Sequence, residues 1–173
     1  MEHSLFDKYP WDIPVFYDSG ISHILGYARD GTIVVLNLLR HLDKRKGTYT
    51  EHLNFNLLWN EYTSRKSQTH DRCYVIMDSR GLGWDNADID RFTTNQPKIG
   101  PWVPDILTKV FVLNCGWVVK ALYSAIKGFL PERTTSKVCI MGSDVEENKK
   151  AIEEVIDLAI VPKDLGGSAE NFN

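Results

Sequence analysis

Cysteine is scarce in this 173-residue sequence, which contains only Cys73, Cys115 and Cys139, far apart from one another. Three scattered cysteines cannot build a disulfide framework, and their spacing is not that of a zinc site. Each lies in or beside an apolar run of the kind that forms strands, so we expect small buried residues in a reducing compartment. The cysteines therefore favour a cytoplasmic location.

Long apolar runs and excess positive charge are also missing. No stretch approaches the roughly 18–20 apolar residues needed to span a bilayer, and the first residues lack the pattern of a signal peptide. The formal net charge of −3 argues against a nucleic-acid partner and against permanent docking on anionic membranes. The length and the 43% of hydrophobic residues suit one globular domain over residues 1–173.

The common signatures of enzymes are absent as well. There is no Gly-x-Ser-x-Gly motif, and Gly81-Leu82-Gly83 lacks the further residues of a dinucleotide site or a phosphate loop. The five histidines all precede residue 71 and form no ligand-like pair. Cys115 could gain reactivity at the start of a helix, but no histidine is near it in the sequence, so a packing role is favoured. The sequence thus predicts a protein that is not an enzyme and holds no metal.

What the sequence does contain is an alternation of strand and helix patterns. Two apolar runs flank the turn-forming pair Asp30-Gly31, which is typical of a hairpin. Three later apolar runs have the composition of strands buried on both faces. These features predict an α/β domain with a mostly parallel mixed sheet, an antiparallel edge and right-handed crossovers. The predicted elements are hairpin strands at 24–29 and 32–39, buried strands at 73–77, 109–113 and 137–141, a helix from an N-cap at Thr50 to Lys66, a helix at 117–130, and a last helix that begins at Ser143 and is ended by Pro162.

Both ends of the chain are predicted to lie outside this regular structure. Two prolines and two aromatic residues in Tyr9-Pro10-Trp11 and Ile13-Pro14 favour an extended N-terminal segment over residues 1–20. The polar residues 168–173 are expected to form a flexible tail.

The predicted helix at 117–130 has an unusually wide apolar surface. Its only polar side chains are Lys120, Ser124 and Lys127, whose spacing places them in one narrow stripe. A surface helix ordinarily buries an apolar stripe and exposes the remainder to water. This helix must therefore be covered by protein on both sides, or one side must face something apolar that is not protein.

An ordered set of short segments resembles the CRAL-TRIO lipid-binding domain of the phosphatidylinositol-transfer proteins. No single segment is specific, but their order and spacing over roughly Asp30 to Gly167 match that family. The segments are Ile76-Met77-Asp78-Ser79-Arg80-Gly81, Val103-Pro104-Asp105-Ile106-Leu107, Asn114-Cys115-Gly116-Trp117, Phe129-Leu130, Thr134, Lys137-Val138 and Pro162-Lys163-Asp164-Leu165-Gly166-Gly167.

The resemblance implies a gate helix over an apolar pocket that holds one lipid, phosphatidylinositol or a phosphoinositide, for transfer between membranes or for lipid sensing. It implies that Thr134 and Lys137 contact the headgroup, that Asp105 supports them, and that Asp78 is structural. A cation with hydroxyl donors is also what a phosphodiester requires. The implied partners are the lipid and, transiently, a membrane surface, with no cofactor besides the bound hydrophobic ligand. The implied gate and pocket-lining residues are Trp117, Val118, Leu122, Tyr123, Ile126, Phe129 and Leu130.

Departures from the family pattern leave alternatives open. Gly83 stands where relatives that bind phosphatidylcholine commonly have a serine, which weakens the expectation of choline-lipid exchange. The helical N-terminal lobe usual in the family has no counterpart here, so we expect either a minimal form or a shortened chain. A carrier of a retinoid-like or tocopherol-like molecule, with Lys137 idle, is one alternative. A protein-interaction module on the same fold, with its pocket filled by side chains, is another.

Overall fold

The computed structural model describes residues 19–69, 72–90, 92–94 and 106–172. The predicted extended segment at 1–20 lies outside these residues, apart from its last two positions, which form a turn. Asp105, predicted to support the headgroup site, also lies outside them.

A five-stranded sheet forms the centre of the domain, and its strands lie side by side in the order of the sequence. The first two strands pair antiparallel, and the remaining neighbours pair parallel. This confirms the predicted mixed sheet with its antiparallel edge, and it confirms that the three buried runs are neighbouring strands. The strands are β1 Ser22–Tyr27, β2 Ile33–Leu38, β3 Cys73–Asp78, β4 Leu107–Leu113 and β5 Val138–Ile140.

Helices connect and cover the strands, and none in the described part of the chain is long and apolar enough to cross a membrane. A 3-10 turn, Lys127–Phe129, follows α2, so the predicted helix at 117–130 is regular only as far as Ile126. The helices are α1 Tyr49–Lys66, α2 Trp117–Ile126, α3 Glu132–Thr135 and α4 Val145–Glu153.

Two predicted helix starts are wrong by one or two residues. Thr48, not Thr50, caps α1, because its side chain accepts from the Glu51 backbone while the Glu51 carboxylate accepts from the Thr48 backbone at 2.6 Å. Asp144, not Ser143, caps α4, and its carboxylate accepts from two backbone N–H groups of the first turn. The end of α4 is also corrected, since the helix stops at Glu153, well before Pro162.

The sequential strand order decides which side of the sheet each connection covers. Right-handed crossovers that always step in the same direction must all pass over one side. Trp59 of α1 and Val119 of α2 accordingly pack against the same side of the sheet. We call this side the crossover face, and its buried strand residues are Ile33, Val35, Cys73, Val75, Val110 and Val112.

The opposite side of the sheet, here called the C-terminal face, is covered by the last part of the chain. Ile152, Ile156 and Val161 are fully buried against it, and Leu165 is nearly so. The strand residues that they cover are Val34, Leu36, Leu38, Tyr74, Ile76, Phe111 and Leu113. This face is therefore a filled protein core.

The last fifteen residues of the described chain fold back on themselves and make defined contacts. The backbone N–H of Ala169 donates to Val161 at 2.9 Å, and that of Lys163 donates to Ala169 at 3.0 Å. The Phe172 ring stacks on His23, with 4.2 Å between ring centroids. Within the predicted flexible tail, contacts thus extend as far as Phe172.

Gly167 in this fold-back offers a sharp test of the packing. A Cβ at this position would lie 1.9 Å from the Val161 carbonyl oxygen, so the backbone would have to move. We expect Gly167→Ala to lower the free energy of unfolding by about 3 kcal/mol or more, measured by urea denaturation. Gly83→Ala is the control, because a Cβ there meets nothing within 4 Å. Equal stability of the two variants would contradict this packing.

Candidate functional site

A buried carboxylate organises the edge of the sheet where the parallel strands end. Asp78 is the last residue of β3, and its side chain is inaccessible to solvent. Its oxygens accept from the Arg80 guanidinium at 2.8 and 2.9 Å, from the Asn114 amide at 2.9 Å and from Arg40 at 3.4 Å. Because these partners follow β2, β3 and β4, one carboxylate holds together the ends of three neighbouring strands.

The charge state of Asp78 follows from its partners. Burial acts to raise the pKa of this carboxyl, but the hydrogen bonds from Arg80 and Asn114 outweigh it, so the pKa lies below its usual value. The same hydrogen bond raises the pKa of Arg80. Asp78 is therefore an ionised structural group, in line with the role implied by the resemblance.

The two arginines extend this network to the C-terminal segment. Arg80 also reaches the Asp164 carboxylate at 2.5 Å, and Arg40 donates to the backbone carbonyl of Phe172 at 2.9 Å. Both contacts join the strand ends to the segment that covers the C-terminal face. This network could not be predicted from the sequence, because its members are up to 132 residues apart.

Cys115 lies at the same edge of the sheet, and its side chain is packed inside the protein. Its thiol is buried, donates to the Val112 carbonyl at 3.3 Å and receives a contact from the Ser79 hydroxyl at 3.6 Å. Burial raises the pKa of this thiol, whereas a nucleophilic cysteine requires a lowered one. These contacts support the packing role over the nucleophilic one.

The crossover face combines an apolar floor with walls from two helices. On α1, Phe55, Trp59 and Tyr62 form an aromatic stripe, with ring centroids 6.0 and 6.1 Å apart in succession. Trp59 packs on the buried strand residues of the floor. This stripe was not part of the predicted site, although its spacing of four and three residues is that of one helix face.

The other wall is α2, the predicted gate helix. Among its predicted pocket-lining residues, Leu122 is buried, whereas Trp117 is 76% exposed and Phe129 53% exposed. Val119, which the prediction did not include, is buried against the crossover face. Thus α2 rests on the sheet through a narrow strip and presents large apolar groups to its surroundings. The remaining predicted lining residues, Val118, Tyr123, Ile126 and Leu130, are half-buried.

Two of the predicted headgroup residues lie close together just before β5, Thr134 in the short helix α3 and Lys137 in the turn that follows it. The Lys137 backbone N–H donates to the Thr134 carbonyl at 3.1 Å, so the two residues share one turn. The neighbouring hydroxyls of Thr135 and Ser136 each donate to a backbone carbonyl three residues earlier. This turn, residues 131–137, is called the hinge below, and it lies at the edge where the parallel strands begin.

Comparison with protein families identifies the domain. The chain matches the model of the CRAL/TRIO domain over residues 17–167. It belongs to the CRAL/TRIO domain family. A solved structure described as Sfh5 shares this fold with a TM-score of 0.59 at 17% identity, covering 76% of this chain and 50% of that one.

Curated relatives of this CRAL/TRIO domain include named lipid-transfer proteins. A phosphatidylinositol/phosphatidylcholine transfer protein, SFH12 of Arabidopsis thaliana, is 28% identical over 159 residues, which are 83% of this chain and 29% of that protein. The Sec14 cytosolic factor of Schizosaccharomyces pombe is 31% identical over 98 residues, 56% of this chain and 33% of that protein. The chain thus spans about a third or less of the length of these relatives.

Asp78→Asn tests the strand-end network. The substitution keeps the shape but removes the buried charge that pairs with Arg40 and Arg80, leaving Arg80 only its contact with Asp164. We therefore expect a loss of about 3 kcal/mol in the free energy of unfolding at neutral pH. Because the folded-state pKa of Asp78 is lowered, its contribution is complete above the unfolded pKa of about 3.9 and is lost as the pH falls through the folded value. The stability gap between wild type and variant should therefore shrink below about pH 4.

The matched control for this measurement is Asp43→Asn. Asp43 pairs with Arg45, whose side chain is 84% exposed, so its loss should change stability little. Urea denaturation from pH 3 to pH 7 measures all three proteins. Similar losses in the two variants would mean that Asp78 does not anchor the strand ends.

Proposed function

We propose that this CRAL/TRIO domain binds one phospholipid, phosphatidylinositol or a phosphoinositide, between the crossover face and α2, and carries or senses it at membranes. The observation on which this rests is the placement of α2. The helix lies on an apolar sheet face through Val119, while Trp117 at its start and Phe129 in the 3-10 turn after it remain exposed. A wall with apolar groups on both sides suits a lipid inside and a membrane outside.

The hinge is the proposed headgroup site. Lys137 supplies a cation and Thr134 a hydroxyl within a single turn, and these are the groups that bind a phosphodiester. The name of the SFH12 relative, a phosphatidylinositol/phosphatidylcholine transfer protein, supports a phospholipid over a retinoid-like or tocopherol-like ligand. On this proposal the domain needs no cofactor, catalyses no reaction and works in the cytoplasm, with transient contact to a membrane.

The role of Lys137 can be measured directly. We expect Lys137→Ala to weaken phosphatidylinositol binding by roughly 1.5–3 kcal/mol, which is about 10- to 150-fold in affinity, through loss of one charge-assisted hydrogen bond. Lys150→Ala on α4 is the control, because this exposed lysine carries the same charge on a helix that covers the C-terminal face. Titration with vesicles that contain phosphatidylinositol would measure both variants.

An unchanged affinity in Lys137→Ala would exclude the hinge as the headgroup site. A loss of the same size in Lys150→Ala would indicate that net charge, and not a specific contact, controls binding. Native mass spectrometry of the purified protein identifies any lipid that it retains. An isoprenoid mass in place of a phospholipid would contradict the proposed ligand.

The gate is tested by hydrogen exchange. If α2 must leave the crossover face for lipid to enter, the amides of residues 117–130 should change their exchange rate when vesicles are added, while those of β2 to β4 stay protected. Leu122→Asp should prevent loading, because it places a charge on the buried side of the gate. If the exchange rates at residues 117–130 do not change when vesicles are added, a protein-interaction module with its pocket filled by side chains is favoured instead.

A further inference from the structure

Thr108 lies at an irregular position in β4. Cys73 of β3 pairs with Leu107, and the next residue, Tyr74, pairs with Lys109. Leu107 and Thr108 therefore stand together opposite one residue, which is a β-bulge. Bulges redirect side chains and are common beside binding sites.

The bulge directs Thr108 toward the crossover face. The next residue, Lys109, lies on the other side, with its ammonium 4.9 Å from the Phe111 ring centroid and 3.9 Å from the Glu154 carboxylate. Val110 and Val112 belong to the core of the crossover face. Alternation from Lys109 through Val112 is regular and places Thr108 on the side of these two valines. Leu107, which stands beside Thr108 at the bulge, packs against the same core.

The Thr108 hydroxyl is buried without a hydrogen bond to any residue that the structure describes. A buried hydroxyl that lacks a partner destabilises a fold, and valine would fill the same space without this cost. Such groups are rare and call for an explanation, such as a bound molecule that supplies the partner. The position of Thr108 identifies the kind of molecule.

Thr108 is level with the hinge. Val110 of β4 pairs with Val138 at the start of β5, and its backbone N–H donates to the Lys137 carbonyl at 2.9 Å. Thr108, two residues before Val110 in β4, therefore lies toward the hinge end of the strand. It thus occupies the same edge of the sheet as Thr134 and Lys137, but on the inner, crossover side. Consider a lipid whose phosphate lies at the hinge and whose acyl chains lie along the crossover face. Its phosphate or glycerol region would lie beside the Thr108 hydroxyl.

We infer that Thr108 is a further lipid-contacting residue whose hydroxyl donates a hydrogen bond to a phosphate or glycerol-ester oxygen of the bound phospholipid. This inference rests on the proposed function and adds a contact inside the pocket, separate from the headgroup turn. The contact would favour a phospholipid over a hydrocarbon ligand without ester or phosphate oxygens, because only the phospholipid satisfies the buried hydroxyl.

Thr108→Val tests the inference, with Thr32→Val as the matched control. Thr32 lies next to the start of β2 and is fully buried, but its hydroxyl contacts the Thr69 hydroxyl at 3.1 Å. We expect Thr108→Val to weaken binding of phosphatidylinositol in vesicles about tenfold and to leave the melting temperature of the lipid-free protein unchanged or higher. Thr32→Val should lower the melting temperature and preserve lipid affinity, and Thr108→Ser should retain most of the binding.

Three outcomes would overturn the inference. Wild-type affinity in Thr108→Val would exclude a contact between the hydroxyl and the lipid. A lower melting temperature of lipid-free Thr108→Val, comparable to that of Thr32→Val, would mean that the hydroxyl is bonded within the protein or to a structural water. If the wild-type domain itself takes up no phosphatidylinositol, the proposed function fails and this inference fails with it.

Discussion

The buried carboxylate of Asp78 is the interaction on which the arrangement of the domain depends. An ionised side chain without solvent contact is tolerable only when it is paired and hydrogen-bonded, and here Arg40, Arg80 and Asn114 meet that requirement. Arg80 also contacts Asp164, and Arg40 also contacts Phe172. The residues that neutralise the Asp78 carboxylate therefore also hold the C-terminal segment against the sheet. The ion pairs and hydrogen bonds at the strand ends thus position the segment that covers the C-terminal face, and the apolar side chains of that face stabilise it by being buried.

The sequential order of the strands makes the two faces of the sheet differ in how they are covered. Right-handed crossovers between these strands pass over one side, and in the described part of the chain the segment after β5 covers the opposite side. The C-terminal face becomes a filled core, with Ile152, Ile156 and Val161 fully buried. The crossover face instead has two helices as walls, and on α1 the residues from 51 to 62 are all only half-buried. This asymmetry between the two faces is the reason for placing the proposed lipid on the crossover side.

The sheet could be predicted from the sequence because strands buried on both faces appear as continuous apolar runs, as in β3 and β4. Helix starts were harder to predict. Thr48 and Thr50 are both suitable N-cap residues, and the reciprocal hydrogen bonds between Thr48 and Glu51 decide between them. The wide apolar surface of the helix at 117–130 could be predicted from its composition, whereas its role as a gate is implied only by the resemblance. Which of its apolar residues are buried depends on how the helix rests on the sheet. The Asp78 network and the bulge at Thr108 could not be predicted, because both arise from pairing between distant segments.

The burial of α2 indicates why this side of the domain can open. Two side chains of the helix, Val119 and Leu122, are buried, and each contributes about 1.5–3 kcal/mol of burial free energy. Lifting the helix would therefore cost a few kcal/mol, which is within the range of local opening in native proteins, and a membrane that covered the freed surface would lower this cost. Opening the C-terminal face would expose more buried side chains and break the ion pairs of Arg80 as well. On the proposed function, exchange of the lipid is therefore energetically easier on the α2 side, with Gly116 and the hinge as the boundaries of the segment that would move.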